Sequence, residues 1–247
     1  MAVHYERRGN AAIITIDRPE ARNAVDGETA GLLRARYQDF AADDGARVLI
    51  VTGAGGKAFC AGADLKKVNN PANDPAGPMG FTRLQSEKPT IAAVEGWCVA
   101  GGLEIACWCD VRIAGETARF GVLNRRWGVP LIDGGTVRLP RIVGLGRALD
   151  LIMTGRDIDA AEALSMGLAN RVVPAGAALD AALEMAEAIA AAPWASVLSD
   201  RESVYACLGL PLAQGIEREA EIGRKVLRVG AEGAARFAAG EGRHGAR

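Results

Sequence analysis

Residues 95–106 read Glu-Gly-Trp-Cys-Val-Ala-Gly-Gly-Leu-Glu-Ile-Ala, and this stretch decides the fold. It follows a short apolar run, Ile91–Val94, that predicts a buried strand, and it continues into a segment that predicts a helix. Small residues at such a junction allow a ligand to approach the backbone closely. The first N–H groups of a helix lack partners inside it and carry partial positive charge. The junction is therefore a candidate binding site for a carbonyl or anionic oxygen.

A second small-residue segment, Phe-Cys-Ala-Gly-Ala-Asp-Leu at residues 59–65, also follows a predicted strand. Two backbone N–H groups that converge from the two segments would form an oxyanion hole. Such a hole stabilises charge on a carbonyl oxygen by about 3–4 kcal/mol per donor. Close packing of a helix against a strand explains either segment alone equally well.

Glu104 lies in the first turn of the helix predicted after Gly101. An acidic side chain there complements the helix dipole, which is one explanation. The apolar residues around it would also desolvate the carboxyl group and raise its pKa, as a general acid or base requires. The residues alone leave both explanations open.

The bulk composition excludes several classes of protein. The 247 residues are 49% hydrophobic and 24% charged, which suits a chain with a large core and argues against global disorder. The formal net charge is −1, with Lys and Arg scattered, so we expect no nucleic-acid partner and no membrane partner. Residues 1–10 lack the apolar run of a signal peptide, and a cytoplasmic location is expected.

Histidine and cysteine usage narrows the chemistry further. The histidines are His4 and His244, at the two ends of the sequence, so catalysis by a Ser-His-Asp or Cys-His arrangement is not expected. Five cysteines in apolar surroundings predict buried free thiols (Cys60, Cys98, Cys107, Cys109 and Cys207). The Cys-x-Cys pair at 107 and 109 is not a zinc spacing, and no metal site is predicted.

The glycine-rich run at residues 53–58 does not fit the known nucleotide-binding loops. Val51 occupies the first glycine position of a P-loop, and Ala58 follows Lys57 where Ser or Thr is needed. The loose dinucleotide-binding match lacks the long amphipathic helix that should follow it.

The first part of the chain alternates strands and helices. Apolar, β-branched runs predict strands at Ala11–Ile16 and Arg47–Thr52, and the apolar spacing predicts a helix over Asp26–Ala42 with Asp26 as its N-cap. Runs at Val111–Ala114 and Ala118–Gly121 bracket a predicted tight turn. The loop Asn69–Pro78 is expected at the surface, bordering a site.

After about Gly144 the pattern predicts helices without further strands. The predicted helices are Arg147–Met153, Ala160–Met166, Ala177–Ala191, Ala195–Cys207 and Leu212–Val229. The fold class is therefore α/β, a mixed core followed by a helical C-terminal part.

Taken together, these segments resemble the crotonase superfamily, that is, the enoyl-CoA hydratase/isomerase family. The resemblance extends over nearly the whole chain. It implies a crotonase-like ββα spiral core over residues 1–192, and a helical C-terminal trimerisation region over residues 193–247. It also implies a homotrimer or a dimer of trimers. The motifs that carry it are Arg18–Ala24, Val48–Gly53 with Phe59–Leu65, Pro89–Gly96 with Gly101-Gly102-x-Glu104, Arg138–Arg141, Gly144, Thr154–Arg156 and Ala160–Gly167.

The resemblance also assigns roles within the predicted site. It implies that Ala63 and Gly101 supply the N–H groups of the oxyanion hole, and that the segment near Arg22 borders the phosphates of coenzyme A. Coenzyme A would be part of an acyl-CoA substrate, and no separate cofactor is implied. The backbone implied to receive its adenine comprises Ala61, Gly62, Ala63, Asp64 and Leu65.

One position departs from the pattern of the family's hydratases, which use two glutamates. Glu104 matches the first, whereas Asn124 stands where a Phe-Gly-x-Pro-Glu segment carries the second. An amide cannot donate and recover a proton, although it can orient a water or a carbonyl. Asp133, before Gly134-Gly135-Thr136, resembles an active-site Asp of dienoyl-CoA isomerases once a one-residue gap is allowed. Capping of the next helix explains Asp133 equally well.

Two arginines beside Asn124 are also unusual. Either Arg125 or Arg126 would pair with an acidic group on the substrate or keep Asp133 ionised, and a surface or subunit contact is the alternative.

The expected function is enoyl-CoA hydratase-like addition of water to a 2-enoyl-CoA. Glu104 is expected to act as general base or acid, with Asp133 as the candidate second proton carrier. An enoyl- or dienoyl-CoA isomerase, and a non-catalytic acyl-CoA binder, are the alternatives. Retention of Glu104 and of both glycine-rich segments argues against a pure binder.

Overall fold

The computed structural model describes residues 1–67 and 69–241. The contacts between its residues divide the chain into two compact units, Met1–Glu187 and Ala188–Arg247. The boundary expected from the sequence, after residue 192, stays a prediction.

The described residues of the first unit form ten strands. They are β1 Val3–Arg8, β2 Ala11–Ile16, β3 Val48–Gly53, β4 Ala58–Cys60, β5 Thr90–Val94, β6 Trp97–Val99, β7 Val111–Gly115, β8 Arg119–Gly121, β9 Asp157–Asp159 and β10 Arg171–Val173.

These strands make two sheets. The larger has the order β1-β2-β3-β5-β7-β10, and only its β1–β2 pair is antiparallel. The smaller has the order β4-β6-β8-β9, in which β4, β6 and β8 run parallel and β9 runs antiparallel to β8. The pairs β3–β4, β5–β6 and β7–β8 each contribute one strand to the large sheet and then one to the small sheet. Repetition of this step produces the ββα spiral that the resemblance implies.

The central strands are apolar along their whole length because both of their faces are covered. The side chains of β5 are all buried, and those of β3 are buried except at Gly53. Continuous apolar runs of this kind are typical of parallel strands buried on both faces.

The helices of the first unit pack around these sheets. They are α1 Gly27–Ala42, α2 Gly101–Trp108, α3 Gly135–Val143, α4 Leu145–Thr154, α5 Ala160–Ser165 and α6 Ala178–Ala190, with α6 continuing across the boundary into the second unit. Short 3-10 helices occupy Pro19–Ala21 and Leu123–Trp127. The predicted cap of α1 is confirmed, because Asp26 accepts the N–H of Thr29 at 2.9 Å.

The second unit contains α7 Trp194–Cys207, α8 Leu212–Arg224 and α9 Leu227–Ala238. The predicted single helix Leu212–Val229 is therefore wrong, since the chain breaks between α8 and α9. Gly223 is a weak helix former, and the last turn of α8 tightens so that Lys225 N–H donates to Ile222 O.

One other expectation from the sequence is also wrong. Strands continue after Gly144, because β9 and β10 add edge strands of three residues each. Such short strands do not establish a period-two pattern. The predicted tight turn at residues 115–117 is confirmed, with Ala118 N–H donating to Gly115 O. Its two strands, β7 and β8, belong to different sheets.

In the described part of the chain, no single helix is long and apolar enough to cross a membrane. The bent pair α6 and α7 meets the criterion only when taken together, by length and composition.

Candidate active site

A cavity of about 350 Å³ lies in the first unit at the N-terminal end of α2. Its wall is mostly apolar, with a few polar side chains. The lining residues are Ala61, Ala63, Leu65, Asn70, Ala72, Pro78, Met79, Val99, Ala100, Gly101, Glu104, Leu123, Asn124, Trp127, Val129, Pro130, Ile132 and Asp133.

The cavity brings together most of the residues singled out in the sequence. All five proposed catalytic positions line it, and so do Ala61 and Leu65 of the predicted adenine segment. The side chain of Asp64 is buried instead in an ion pair with Arg18, at 2.9 Å. Arg22 is not among the lining residues, and its carbonyl accepts the N–H of Ala61.

The two glycine-rich segments touch where Gly62 meets the start of α2. A Cβ atom placed on Gly62 would stand 2.8 Å from Gly101 N and 2.8 Å from Ala100 Cβ. A Cβ on Gly102, the residue after Gly101, would stand 2.0 Å from Cys60 O. Glycine at these positions therefore permits an approach that brings the Ala63 and Gly101 backbones to the same wall.

The orientation of the Ala63 N–H follows from an isolated parallel bridge between Val25 and Ala63. Val25 N–H donates to Gly62 O, and Asp64 N–H donates to Val25 O. Because the neighbours of Ala63 make both bonds, its own N–H points away from Val25. Gly101 N–H, at the first position of α2, lacks an intrahelical acceptor. Within the described residues neither N–H has a hydrogen-bond partner, as an oxyanion hole requires.

Ala100, which precedes α2, has a strained backbone. Its φ is 54° and its ψ is −126°, a conformation that residues with a Cβ rarely adopt. Strain of this kind costs on the order of 1–3 kcal/mol and clusters at functional sites. Ala100 and Gly101 both line the cavity, so the strained residue lies directly before the first N–H groups of α2.

Glu104 is 3% exposed, and its Oε1 accepts the N–H groups of Asp133 and Gly135, each at 2.8 Å. The pKa of Glu104 is raised to about 7, chiefly by burial and also by the nearby Asp133 carboxylate. The two N–H bonds and Arg138 act in the opposite direction. A carboxyl group with a pKa near neutrality is suited to gain and lose a proton.

Asp133 does not cap a helix, so that explanation of the residue is wrong. The N-cap of α3 is Gly134, and the N–H of Gly135, the first residue of that helix, donates to Glu104 and not to Asp133. The Oδ1 atom of Asp133 instead accepts the Met79 N–H, at 3.0 Å, and the Thr82 hydroxyl. The side chain therefore holds a segment that precedes it by about fifty residues.

Asn124 is 8% exposed and is tied to the wall of the cavity. Its side-chain Nδ2 donates to Val129 O at 2.8 Å, and its backbone carbonyl accepts the Val129 N–H at 3.2 Å. A flipped amide would set two oxygens against each other, so the orientation is fixed. Its Oδ1 is buried and accepts no hydrogen bond from any described residue.

Neither of the two unusual arginines lines the cavity. Arg125 Nε donates to Ile152 O, and Arg126 lies 3.8 Å from Asp157. The suggestion that either one pairs with an acidic substrate group therefore gains no support from their position.

The cysteines do not supply a nucleophile to the site. Four of the five are buried, and Cys207 is half-buried. Burial raises the pKa of the Cys60 thiol to about 12 and that of Cys107 to about 11. In residues 1–67 and 69–241 no group of three His, Cys, Asp or Glu side chains could hold a metal ion. His244 lies outside the described residues.

Met79 and Thr82 were not singled out in the sequence, and Arg138 was named only as part of the motif Arg138–Arg141. Met79 lines the cavity, Thr82 binds Asp133, and Arg138 donates to the carbonyls of Asp133 and Thr82. The only signal was the expectation that the loop 69–78 borders a site, and Asn70, Ala72 and Pro78 of that loop do line the cavity.

A buried carboxyl group that lines one cavity with two unpartnered backbone N–H groups is typical of enzymes that stabilise charge on a carbonyl oxygen while they move a proton. The amino-acid sequence matches the model of the family Enoyl-CoA hydratase/isomerase over residues 6–240. The chain belongs to the enoyl-CoA hydratase/isomerase family, and so to the crotonase superfamily.

Individual relatives agree with this membership. Enoyl-CoA hydratase EchA19 of Mycobacterium tuberculosis is 41% identical over 232 residues, which cover 90% of this chain and 87% of that protein. Short-chain-enoyl-CoA hydratase of Clostridium acetobutylicum is 42% identical over 205 residues, 80% of this chain and 78% of that protein. The crystal structure of enoyl-CoA hydratase EchA1 from Mycobacterium marinum superposes with a TM-score of 0.90 at 36% identity, covering 96% of this chain and 95% of that chain.

Proposed function

We propose that this enzyme adds water across the C2–C3 double bond of a 2-enoyl-CoA. The observation that carries the proposal is the location of Glu104, whose pKa is about 7, in the same cavity as the Ala63 and Gly101 N–H groups. The names of the relatives, which are enoyl-CoA hydratases, support it.

The proposed reaction starts with the Glu104 carboxylate. Glu104 takes one proton from water as the water oxygen bonds to C3 of the substrate. The electrons of the double bond move onto the thioester oxygen, where the Ala63 and Gly101 N–H groups stabilise the negative charge. The enolate then collapses and takes the proton back from Glu104 at C2. No electrons leave or enter the system, so we infer no redox cofactor, and coenzyme A is part of the substrate.

The absence of a second glutamate favours isomerisation as an alternative. Asn124 cannot carry a proton, and its Nδ2 is committed to Val129 O. One carboxylate is enough to move a proton from C2 of a 3-enoyl-CoA to C4, while the same N–H groups stabilise the enolate. This alternative uses Glu104 in the same way and differs only in the product.

The cavity wall supports an apolar acyl group. No Lys or Arg is found among its described lining residues, so a carboxylate at the end of the acyl chain would be buried without a partner. Binding of adenine at Ala61–Leu65, phosphates near Arg22 and a cytoplasmic location stay predictions. The homotrimer, or dimer of trimers, also stays a prediction. Exposed apolar side chains on α8 and α9, at Leu212, Ile216, Leu227 and Phe237, support that assembly.

Turnover of crotonyl-CoA tests the proposal directly. We expect loss of the ultraviolet absorbance of the conjugated double bond and formation of a 3-hydroxyacyl-CoA, identified by mass. A 3-enoyl-CoA substrate incubated in deuterated water separates the alternative, since an isomer has unchanged composition apart from deuterium. A wild-type protein that adds no water to enoyl-CoAs of any chain length would contradict the hydratase proposal.

The rate should depend on pH through Glu104. We expect kcat/KM to rise with pH, with a midpoint near pH 7, because Glu104 must be ionised before it can accept the water proton. The charged groups around it are Asp133 and Arg138, and the raised pKa of Cys107 keeps that neighbouring thiol neutral. A profile that falls through pH 7 would mean that Glu104 acts first as an acid.

A further inference from the structure

We propose that Asp133 acts as a positioning residue, and that its carboxylate anchors the segment Gly77–Thr82 to the wall that holds Glu104. The inference rests on the proposed function in one respect, namely that Glu104 is the group that moves the proton.

The first observation is that Oδ1 of Asp133 is already engaged. Asp133 is 2% exposed, and this atom accepts both the Met79 N–H and the Thr82 hydroxyl. A backbone N–H can only donate, so the bond from Met79 requires Oδ1 to remain an acceptor.

The second observation is that the same residue holds Glu104. The Asp133 N–H donates to Glu104 Oε1 at 2.8 Å, and Gly135 N–H donates to the same oxygen. Arg138 reinforces the connection, because its guanidinium donates to Asp133 O at 2.9 Å and to Thr82 O at 2.7 Å. The backbone and the side chain of Asp133 thus join Glu104 to the segment 77–82.

The anchored segment reaches the oxyanion hole. The Met79 Sδ atom lies 2.8 Å from the position that a Cβ on Gly101 would take, so Met79 covers the backbone of the first residue of α2. A shift of this segment would therefore change the surface beside the Gly101 N–H.

The segment has another anchor that does not involve Asp133. Phe81 is fully buried and packs edge-on against Trp108, with ring centroids 4.7 Å apart, and it also stacks on Tyr37. Loss of the Asp133 carboxylate is therefore expected to leave the fold intact.

The charge of Asp133 affects the pKa of Glu104, and a purely structural contact would have no such effect. Asp133 raises the pKa of Glu104, whereas Arg138 lowers it, and Cys107, the other titratable group beside Glu104, is a neutral thiol. Removal of the charge on Asp133 should make Glu104 easier to ionise.

The decisive variant is Asp133→Asn, whose amide oxygen can still accept from Met79 and Thr82. We expect kcat at the pH plateau to stay within about tenfold of wild type, because loss of a proton carrier costs roughly 10²–10⁴-fold. We also expect the midpoint of the rise of kcat/KM with pH to move to lower pH. A folded variant with a larger loss of kcat overturns the proposal. An active variant whose pH profile of kcat/KM keeps the wild-type midpoint also overturns it.

Thr82→Val provides a second test should Asp133→Asn fail to fold. This isosteric change removes one bond to Oδ1 and keeps the charge. A several-fold lower kcat, with the pH midpoint of kcat/KM not shifted to lower pH, supports the anchoring role of Asp133. An unchanged kcat contradicts it.

Failure of the proposed function can be distinguished from failure of this inference. Infrared titration of the Glu104 carboxyl group, with Glu104→Gln to identify its band, measures the pKa without turnover. Wild-type protein that lacks hydratase activity contradicts the proposed function. An equal Glu104 pKa in wild type and Asp133→Asn contradicts the inference.

Discussion

Replacement of Glu104 by Gln is expected to lower kcat by roughly 10²–10⁴-fold, the contribution of a positioned general acid–base group. Gln retains an oxygen that can accept the Asp133 and Gly135 N–H bonds, so the local structure should persist. It cannot take a proton from water or return one to C2. The Kd for a substrate analogue should therefore change little. The measurement is single-turnover kinetics with crotonyl-CoA, together with a binding titration.

The same variant should be more stable than wild type above neutral pH. The folded protein raises the pKa of Glu104 from 4.5 to about 7, so the unfolded chain releases this proton more readily. Stability is lost as pH rises between these two values, by about 3 kcal/mol in total at 1.36 kcal/mol per pKa unit. Glu104→Gln removes that loss. Its advantage in unfolding free energy should be largest at pH 8 and disappear near pH 4.

A matched control is Glu116→Gln, at an exposed position in the turn between β7 and β8. We expect neither kcat nor the free energy of unfolding to change in this variant. Retention of full activity by Glu104→Gln would show that Glu104 has no part in the mechanism. Equal stability of Glu104→Gln and wild type at pH 8 would show that burial does not raise the pKa of Glu104.

Replacement of Gly62 by Ala should damage the oxyanion hole. Its new Cβ would collide with Gly101 N and Ala100 Cβ at 2.8 Å. Neither atom belongs to a flexible side-chain end, so the two segments would have to separate and misplace the Ala63 and Gly101 N–H groups. Loss of one such donor costs roughly 10²–10³-fold in kcat. We expect a decrease of that size for crotonyl-CoA, with a lower melting temperature.

Gly56→Ala separates this collision from backbone strain. Gly56 has φ +69° and Gly62 has φ +89°, so both substitutions place a Cβ in the left-handed region. Only Gly62 has atoms within reach, since nothing lies within 4 Å of a Cβ on Gly56. Gly56→Ala should therefore lose stability but keep kcat. Equal kcat in the two variants would show that the approach of the segments does not matter for catalysis.

Local signals in the sequence were sufficient for the elements that frame the site. The apolar runs located β2, β3 and β5 to within a residue at each end, and Asp26 marked the start of α1. These signals depend on residues a few positions apart. The short edge strands β9 and β10 were missed, because three residues carry no period. The two glycine-rich segments and Glu104 could be recognised because the residues that indicate their chemistry are consecutive in the sequence.

The partners of Asp133 and Asn124 were decided by the tertiary structure. Asp133 could be a helix cap or a proton carrier from its neighbours in sequence, yet its side chain binds Met79, 54 positions away. Glu104 receives its N–H donors from residues 29 and 31 positions away. The sequence by itself determined the family, the two N–H segments and the buried carboxyl group. The tertiary structure alone decided which polar groups of the site already have hydrogen-bond partners. Hydrogen bonds between distant segments form only when the spiral brings those segments together.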